Sequence, residues 1–240
     1  MCLNTIEDPP IYLCEKGHGL CNTCRETIKA QNKPCPVCRQ KLTDARNMAC
    51  EDMLKNLPKI KCKNNGCTFQ SVDAQLVKIH EDEECKEKLV QCELCPESIA
   101  LSQLFSHLKT KHQQRPYIVD NNTYNIVELS AGHVGEFFKA DGSEFFSNLA
   151  IYDENVGLFW VSLIGPPKEA RKYEYTVKLA SSKEAADAGK FLLAGTGDCT
   201  SCVVSREEFL KNPKEAVFIS HGKMEQIDWA KGCILQIKKK

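Results

Sequence analysis

The hydrophobic and polar positions follow different patterns in the two halves of this 240-residue chain. From about residue 117 onwards, short apolar runs recur between Gly, Asp, Asn and Pro turn signals. Residues 173–179 alternate strictly between apolar and polar side chains, which is typical of a strand with one buried face. About eight such runs predict an antiparallel β-sandwich over residues 117–240. The runs are NIVEL, GEFFKADGSEFFSNLAIY, GLFWVSLIG, YEYTVKLA, KFLLAG, CVVS, AVFIS and CILQI.

Residues 1–45 contain few large apolar side chains, so a module of this length cannot fold on hydrophobic burial alone. Residues 44–58 predict a helical connector, with Asp44 as its N-cap and Pro58 at its end. Its apolar positions recur at roughly helical spacing. They are Met48, Met53, Leu54 and Leu57.

Three further short helices are predicted. The segments VDAQLVKIH and LSQLFSHLKTKH, within residues 59–116, each carry histidine near the C-terminal end. The segment SREEFLKN contains a capping box, with Ser205 as the cap and Glu208 three residues later.

The composition argues against a nucleic-acid-binding protein and favours cysteines that bind metal. Lys plus Arg and Asp plus Glu number 32 each, so the chain lacks the basic excess that nucleic-acid binding usually needs. The N-terminus lacks the features of a signal peptide, and no apolar run reaches the length of a membrane span, so we expect a cytoplasmic or nuclear location. In such a reducing compartment, the 15 cysteines favour thiolate metal ligands over disulfides.

The cysteines and histidines have metal-ligand spacing. In the first block a Cys-x2-Cys pair can direct both sulfurs at one tetrahedral ion, and Zn²⁺ accepts sulfur and imidazole ligands. This block offers seven candidate ligands, whereas two zinc sites need eight. The candidates are Cys2, Cys14, His18, Cys21, Cys24, Cys35 and Cys38.

The spacing of this block resembles a RING finger, whose ligand pairs interleave between two zinc ions. On that resemblance one site is complete, and it consists of Cys14, His18, Cys35 and Cys38. The other site has Cys2, Cys21 and Cys24 and lacks one ligand. The family pattern puts the missing cysteine three residues before Cys2, so we expect the sequence to be truncated at its N-terminus.

The second block divides into two complete four-ligand sets. The first is Cys62, Cys67, His80 and Cys85, and the second is Cys92, Cys95, His107 and His112. DNA-reading fingers have similar spacing, but the helix between Cys95 and His112 offers no arginine for guanine recognition. Nucleic-acid binding is therefore the weaker hypothesis.

The order of a RING, two adjacent fingers and a β-rich domain resembles the seven-in-absentia family of ubiquitin ligases. The likeness is carried by EDPPIYLCEKGHGLCNTC, CPVCRQKL, the RN-x-A start at Arg46, the paired fingers, and GLFWVSLIG followed by KYEYTVKLA. It implies small zinc-stabilised α+β modules followed by an all-β antiparallel TRAF-like sandwich. The domains are then a RING at 1–43, the connector at 44–58, paired fingers at 59–116 and the sandwich at 117–240.

The resemblance also implies a function and its partners. A RING binds a ubiquitin-charged conjugating enzyme, and a substrate lysine attacks the thioester directly. By family position, Leu3, Pro36 and Arg39 contact the conjugating enzyme, and Arg39 can bridge carbonyls of both ubiquitin and that enzyme. The sandwich binds substrates as extended peptides, and family members dimerise through it. Four zinc sites are expected in the intact family pattern, and degradation of the substrate by the proteasome would follow.

The missing ligand keeps a second function open, that of a non-catalytic adaptor with an impaired RING. Several other residues carry no assigned role. Cys199 and Cys202 have knuckle spacing but no second pair nearby, so we interpret them as structural. Cys50, Cys233 and Trp160 are interpreted as packing residues.

Overall fold

A computed structural model describes residues 6, 9–92, 94–113, 117–118, 123–126, 134–153, 155–227 and 233–240. The chain divides into two compact units, one of residues 1–62 and 68–79 and the other of residues 63–67 and 80–240. None of the described helices is long and apolar enough to cross a membrane.

The first unit is built on a small antiparallel sheet with the strand order β2-β1-β3. A two-stranded β4-β5 hairpin follows it. The elements are β1 (Ile11–Cys14), β2 (Gly19–Cys21), α1 (Asn22–Ala30), β3 (Leu42–Arg46), α2 (Met48–Asn56), β4 (Ile60–Lys61), β5 (Gln70–Ser71) and α3 (Ala74–Ile79).

The connector helix begins later than predicted, because Asp44 is not its cap. Asp44 lies in β3, where Arg25 and Lys29 pair with its carboxylate. The cap of α2 is Asn47, whose side chain accepts a hydrogen bond of 3.1 Å from the Cys50 N–H. The strand therefore extends through the segment in which the helix was predicted to begin.

The second unit starts with a π-helical turn (His80–Glu84) and the second finger. That finger consists of β6 (Leu89–Gln91), β7 (Ser98–Ala100) and α4 (Leu101–Lys111). Glu84 of the turn forms an ion pair with Lys168, and Glu83 forms one with Arg171 at 2.5 Å. These pairs fasten the turn to helix α5 (Pro167–Ala170).

The rest of the second unit is a two-sheet β-domain. One sheet has the order β15-β12-β11-β10-β8, with β16 also paired to β12, and the other has the order β14-β13-β17-β9. The described pairs are antiparallel except β8 with β10 and β12 with β15. The strands are β8 (Tyr117–Ile118), β9 (Thr123–Ile126), β10 (Val134–Ala140), β11 (Ser143–Asp153), β12 (Val156–Leu163), β13 (Tyr173–Leu179), β14 (Leu193–Asp198), β15 (Thr200–Ser201), β16 (Val217–Ser220) and β17 (Cys233–Lys239). The helices are α6 (Lys183–Asp187), α7 (Arg206–Lys211) and α8 (His221–Met224).

One apolar cluster fills the space between the two sheets. Phe145 and Phe159 come from the larger sheet, and Val177 and Leu235 from the smaller one. Tyr175 lies in the same core, where its hydroxyl donates to the carbonyls of Phe159 at 3.0 Å and Glu215 at 2.7 Å. The alternation predicted for residues 173–179 is confirmed, because every odd position there is buried.

The predicted fold class is confirmed as Cys/His clusters followed by an antiparallel β-rich domain. The predicted CVVS strand is wrong, because the pairing with β12 ends at Ser201 and residues 202–204 turn into α7. The capping box there is confirmed, since the Ser205 hydroxyl accepts from the Glu208 N–H at 3.2 Å. The predicted domain boundaries stay predictions.

Candidate metal centres and the RING surface

The RING residues meet at the end of β1. Cys14 is the last residue of that strand, and a turn through Gly17, at φ +83°, brings His18 back beside it. The ligand atoms of Cys14, His18, Cys35 and Cys38 lie within 4.8 Å of one another. The Cys14 sulfur is 3.4 Å from His18 Nδ1 and 3.6 Å from the Cys38 sulfur.

These separations fit a zinc ion. A tetrahedral zinc with bonds of about 2.3 Å to sulfur and 2.0–2.1 Å to nitrogen places its ligand atoms roughly 3.3–3.8 Å apart. Burial by itself would raise the pKa of the Cys14 thiol, but hydrogen bonds from His18 outweigh burial and lower that pKa to about 6. The thiolate, which is the form that binds the metal, is thus favoured near neutral pH.

The other predicted RING site is described only in part. Cys2 lies outside the described residues, as does Leu3. Cys21 ends β2 and Cys24 lies buried in α1. The three-ligand set therefore stays a prediction.

The first finger brings together Cys62, Cys67, His80 and Cys85, whose ligand atoms also lie within 4.8 Å of one another. The Cys67 sulfur is 3.3 Å from His80 Nε2. His80 begins the π-helical turn, and the Cys85 N–H donates to the His80 carbonyl at 2.8 Å. This local hydrogen bond sets the spacing between the last two ligands.

The second finger brings together Cys92, Cys95, His107 and His112 within the same limit. The two His Nε2 atoms are 3.1 Å apart, and each lies 3.5 Å from a cysteine sulfur. Glu97 Oε2 is 3.7 Å from His107 Nδ1, on the ring nitrogen that faces away from the cluster. Carboxylates in this position commonly orient metal-binding histidines.

The donor sets of the three groups fit zinc. Each group offers four sulfur or imidazole donors at tetrahedral spacing, which is the arrangement of structural zinc sites with no open position. Zinc held in this way would fix the loops between its ligands and would supply no chemistry of its own. The three described groups and the RING support zinc as the cofactor.

The second RING knuckle, formed by Cys35 and Cys38, carries two of the predicted contact residues on its surface. Pro36 and Arg39 are exposed, and the Arg39 N–H donates to the Cys35 carbonyl at 2.8 Å. Val37 lies between them with 62% of its surface exposed. Sequence reasoning assigned no role to Val37, although its place between two cysteines of a tight knuckle is a signal of outward orientation.

A buried carboxylate ties the connector helix to the RING sheet. Glu51 of α2 is fully buried and accepts hydrogen bonds from the Ile11 N–H at 2.9 Å and Arg46 Nε at 3.0 Å. No role was predicted for Glu51 from the sequence, where only the apolar residues of the connector were singled out. Two of these, Met48 and Met53, are 52% and 67% exposed. The RN-x-A segment was a usable signal, since it contains Arg46 and the Asn47 cap.

The residues without an assigned role are placed as follows. Cys199 and Cys233 lie in the core between the sheets, whereas Cys50 is exposed, so its interpretation as a packing residue is wrong. Burial raises the pKa of the Cys199 thiol to about 12, so this thiol is unreactive in the folded domain. Trp160 is buried as predicted, stacked on Phe209 with ring centroids 4.6 Å apart.

Comparison with known proteins agrees with this geometry. Residues 1–38 match the family model described as E3 ubiquitin-protein ligase sina/sinah, RING finger. The RING finger is of the seven-in-absentia type. The resemblance predicted from the motifs is thereby confirmed.

Two curated relatives show how far the similarity extends. The chain is 33% identical over 198 residues to the E3 ubiquitin-protein ligase sina of Drosophila virilis, covering 73% of this chain and 58% of that protein. It is 25% identical over 203 residues to the E3 ubiquitin-protein ligase SINAT5 of Arabidopsis thaliana, covering 76% and 62%. The chain spans about three fifths of the length of the curated relatives it matches.

Proposed function

We propose that the chain acts as a RING-type ubiquitin-protein ligase. The observation that carries this proposal is the seven-in-absentia RING match, together with the four-residue ligand cluster behind an exposed knuckle. The conjugating enzyme, ubiquitin and a protein substrate are the partners. The RING match favours the ligase over the non-catalytic adaptor.

The conjugating enzyme docks on the two zinc loops. Pro36 and Leu3 offer apolar contacts, and Arg39 donates hydrogen bonds to carbonyls of ubiquitin and of the conjugating enzyme. The exposure of Pro36 and Arg39 supports this role. Loops held by zinc lose little conformational entropy on binding, so the docking surface is pre-organised.

The chemistry takes place between the two partners and forms no covalent bond to this chain. The amine of a substrate lysine attacks the thioester carbonyl, the new amide bond forms, and the thiolate of the conjugating enzyme leaves. The RING contributes by restraining the thioester in a reactive orientation.

The β-domain selects the substrate. We propose that it captures extended peptides by strand addition, in which main-chain hydrogen bonds give affinity and side-chain pockets give selectivity. Dimerisation through this domain would provide two ligase arms, and a fourth zinc would complete the RING. We propose action in the cytoplasm, with the nucleus as a second location, and proteasomal degradation as the outcome.

Thioester discharge tests the proposal. A purified chain is mixed with activating enzyme, ubiquitin and a charged conjugating enzyme, and loss of the thioester is followed with lysine as acceptor. Arg39→Ala should slow discharge by roughly tenfold to a hundredfold, since it removes hydrogen bonds from a charged donor. Lys41→Ala, which removes a nearby exposed charge, should leave the rate unchanged.

Zinc content measured on both variants shows whether the RING site is retained. An Arg39→Ala chain that retains its zinc and discharges the thioester at the parent rate would remove the role given to Arg39. If the parent chain binds zinc but fails to accelerate thioester discharge from every conjugating enzyme that is tested, the result would support the adaptor instead.

A further inference from the structure

The outer face of the larger sheet is covered by two separate elements. On this face the register pairs Phe146 with Ser162, Asn148 with Trp160, and Ala150 with Leu158. At the Phe146 end, helix α4 of the second finger packs through its apolar side chains. At the Ala150 end, helix α7 packs through Phe209, which stacks on Trp160.

A cleft remains between the two covers, and its empty space of about 530 Å³ includes the open solvent at its mouth. Its apolar walls are formed by Leu104 and Leu108 of α4 on one side and by Trp160 of the sheet on the other. Leu94 and Val204 line it with 41% and 36% of their surfaces exposed. Exposed aliphatic side chains of this kind suit an apolar guest.

The floor of the cleft is polar, which is unusual for a covered sheet face. Asn148 and Ser162 are 7% and 8% exposed. Asn148 Nδ2 donates to the Phe146 carbonyl at 3.3 Å and to Ser162 Oγ at 3.2 Å. Ser162 Oγ in turn lies 3.1 Å from Thr200 Oγ1. The amide nitrogen of Asn148 is thus engaged within the sheet, and its Oδ1 is available as an acceptor for a guest.

Among the described residues that line the cleft, one side chain is charged, and its charge is positive. It is Arg206, the first residue of α7. Its Nη2 donates to the Leu149 carbonyl at 3.3 Å, which leaves most of the guanidinium donors for another acceptor. A guanidinium pairs best with a carboxylate, so charge complementarity indicates an acidic guest.

We propose that this cleft binds an extended peptide segment that carries an aliphatic side chain next to an aspartate or glutamate. The aliphatic side chain enters between Leu104, Leu108 and Trp160, and the carboxylate pairs with Arg206. A main-chain N–H of the peptide donates to Asn148 Oδ1. The site deepens the proposed function by naming a class of substrate segment, and it rests on that function only for its biological role.

Binding of defined peptides tests the site without any ubiquitin chemistry. The full chain is titrated with the acidic probe Ac-Ser-Gly-Leu-Asp-Gly-NH2 and with its basic counterpart, which has Lys in place of Asp. Calorimetry gives affinity, and tryptophan fluorescence reports location, because Trp160 is one of two tryptophans in the chain. We expect the acidic probe to bind on the order of tenfold more tightly and to change the fluorescence.

Two variants locate the binding. Arg206→Gln should weaken the acidic probe on the order of tenfold and leave the basic probe unchanged. Val204→Glu, at an exposed position of the cleft, should weaken the acidic probe by charge repulsion and serves if Arg206→Gln fails to fold. Lys211→Gln, at an exposed position of the same helix, is the matched control and should bind like the parent.

The outcomes separate this site from the ligase activity. Binding that depends on Arg206 or Val204 supports the site even if thioester discharge is absent. Equal binding of the two probes, or no detectable binding of either at millimolar concentration, would overturn it. Binding of the acidic probe that both variants retain at the parent affinity would also overturn it, even in a chain that discharges the thioester.

Discussion

The RING and the β-domain are stabilised by different interactions. The buried apolar side chains of the described RING residues, apart from cysteine, are Ile11 and Leu20. The β-domain instead has a continuous core between its sheets, in which Phe145, Phe159 and Tyr175 are fully buried. Metal coordination thus stabilises the RING, whereas hydrophobic burial stabilises the β-domain.

The RING and the β-domain should therefore respond to different perturbations. Both tryptophans, Trp160 and Trp229, lie in the C-terminal half, whereas twelve of the 15 cysteines lie before residue 96. Tryptophan fluorescence therefore follows the β-domain, and thiol reactivity with zinc release follows the N-terminal modules. The two signals can be recorded on one sample.

The largest effect is expected from the loss of a RING ligand. Structural zinc contributes ~10–16 kcal/mol in small finger peptides, which exceeds the net stability of most domains. Cys35→Ala, at a fully buried position, should therefore unfold the RING, lower the zinc content by at least one ion and expose its thiols to a maleimide reagent. The tryptophan signal should show the parent unfolding midpoint.

Cys50→Ala is the matched control, because Cys50 is exposed and belongs to none of the described clusters. It should lose one reactive thiol and nothing else. A Cys35→Ala chain with the parent zinc content and thiol protection would show that this residue is no ligand.

An intermediate effect is expected in the β-domain core. Leu149 is 1% exposed and packs between the sheets, so Leu149→Ala should lower the free energy of unfolding by about 2–5 kcal/mol. Urea unfolding followed by tryptophan fluorescence measures this loss, and the zinc content should stay at the parent value. Tyr152→Ala, on the same strand with 48% exposure, should cost far less. If the Leu149→Ala substitution by itself released zinc, the RING and the β-domain would not be stabilised independently of each other.

The sequence predicted ligand sets well because zinc coordination depends on residue type and short spacing. The structure brings together all three complete sets, including His18, which lies four residues after Cys14 across a glycine turn. The alternation of buried and more exposed side chains in β13 could also be predicted, because a strand with one buried face has a period of two. Local chemistry decides both features.

Features that depend on distant partners could not be predicted. The cap assigned to Asp44 was wrong because Arg25 and Lys29, on another helix, engage that carboxylate in β3. The cleft over the larger sheet was equally invisible, since it lies between two covers that the chain reaches far apart in sequence. The burial of Glu51 could not be predicted either, because its partners lie in β1 and β3.

The smallest effect is expected at Glu51, where the N-terminal region buries a carboxylate. Hydrogen bonds from Arg46 and from the Ile11 N–H lower the pKa of Glu51 below its ordinary value. A lowered folded-state pKa gives stability that is present above the unfolded pKa, about 4.3, and is lost as the pH falls through the folded pKa. Glu51→Gln keeps the shape and one acceptor, so its destabilisation at pH 7 should be smaller than that of Leu149→Ala.

The decisive measurement is the difference between parent and variant as a function of pH. We follow thiol exposure during thermal unfolding from pH 7 to about pH 3 and subtract the Glu51→Gln midpoint from that of the parent. The difference should stay constant down to about pH 4.3 and shrink below it, because the parent carboxylate then loses the charge that Arg46 stabilises. Asp52→Asn, at the exposed neighbouring position, should show no such pH-dependent difference. A parent-to-Gln difference that is constant with pH would mean that packing of α2, rather than the buried charge, secures the helix to the RING sheet.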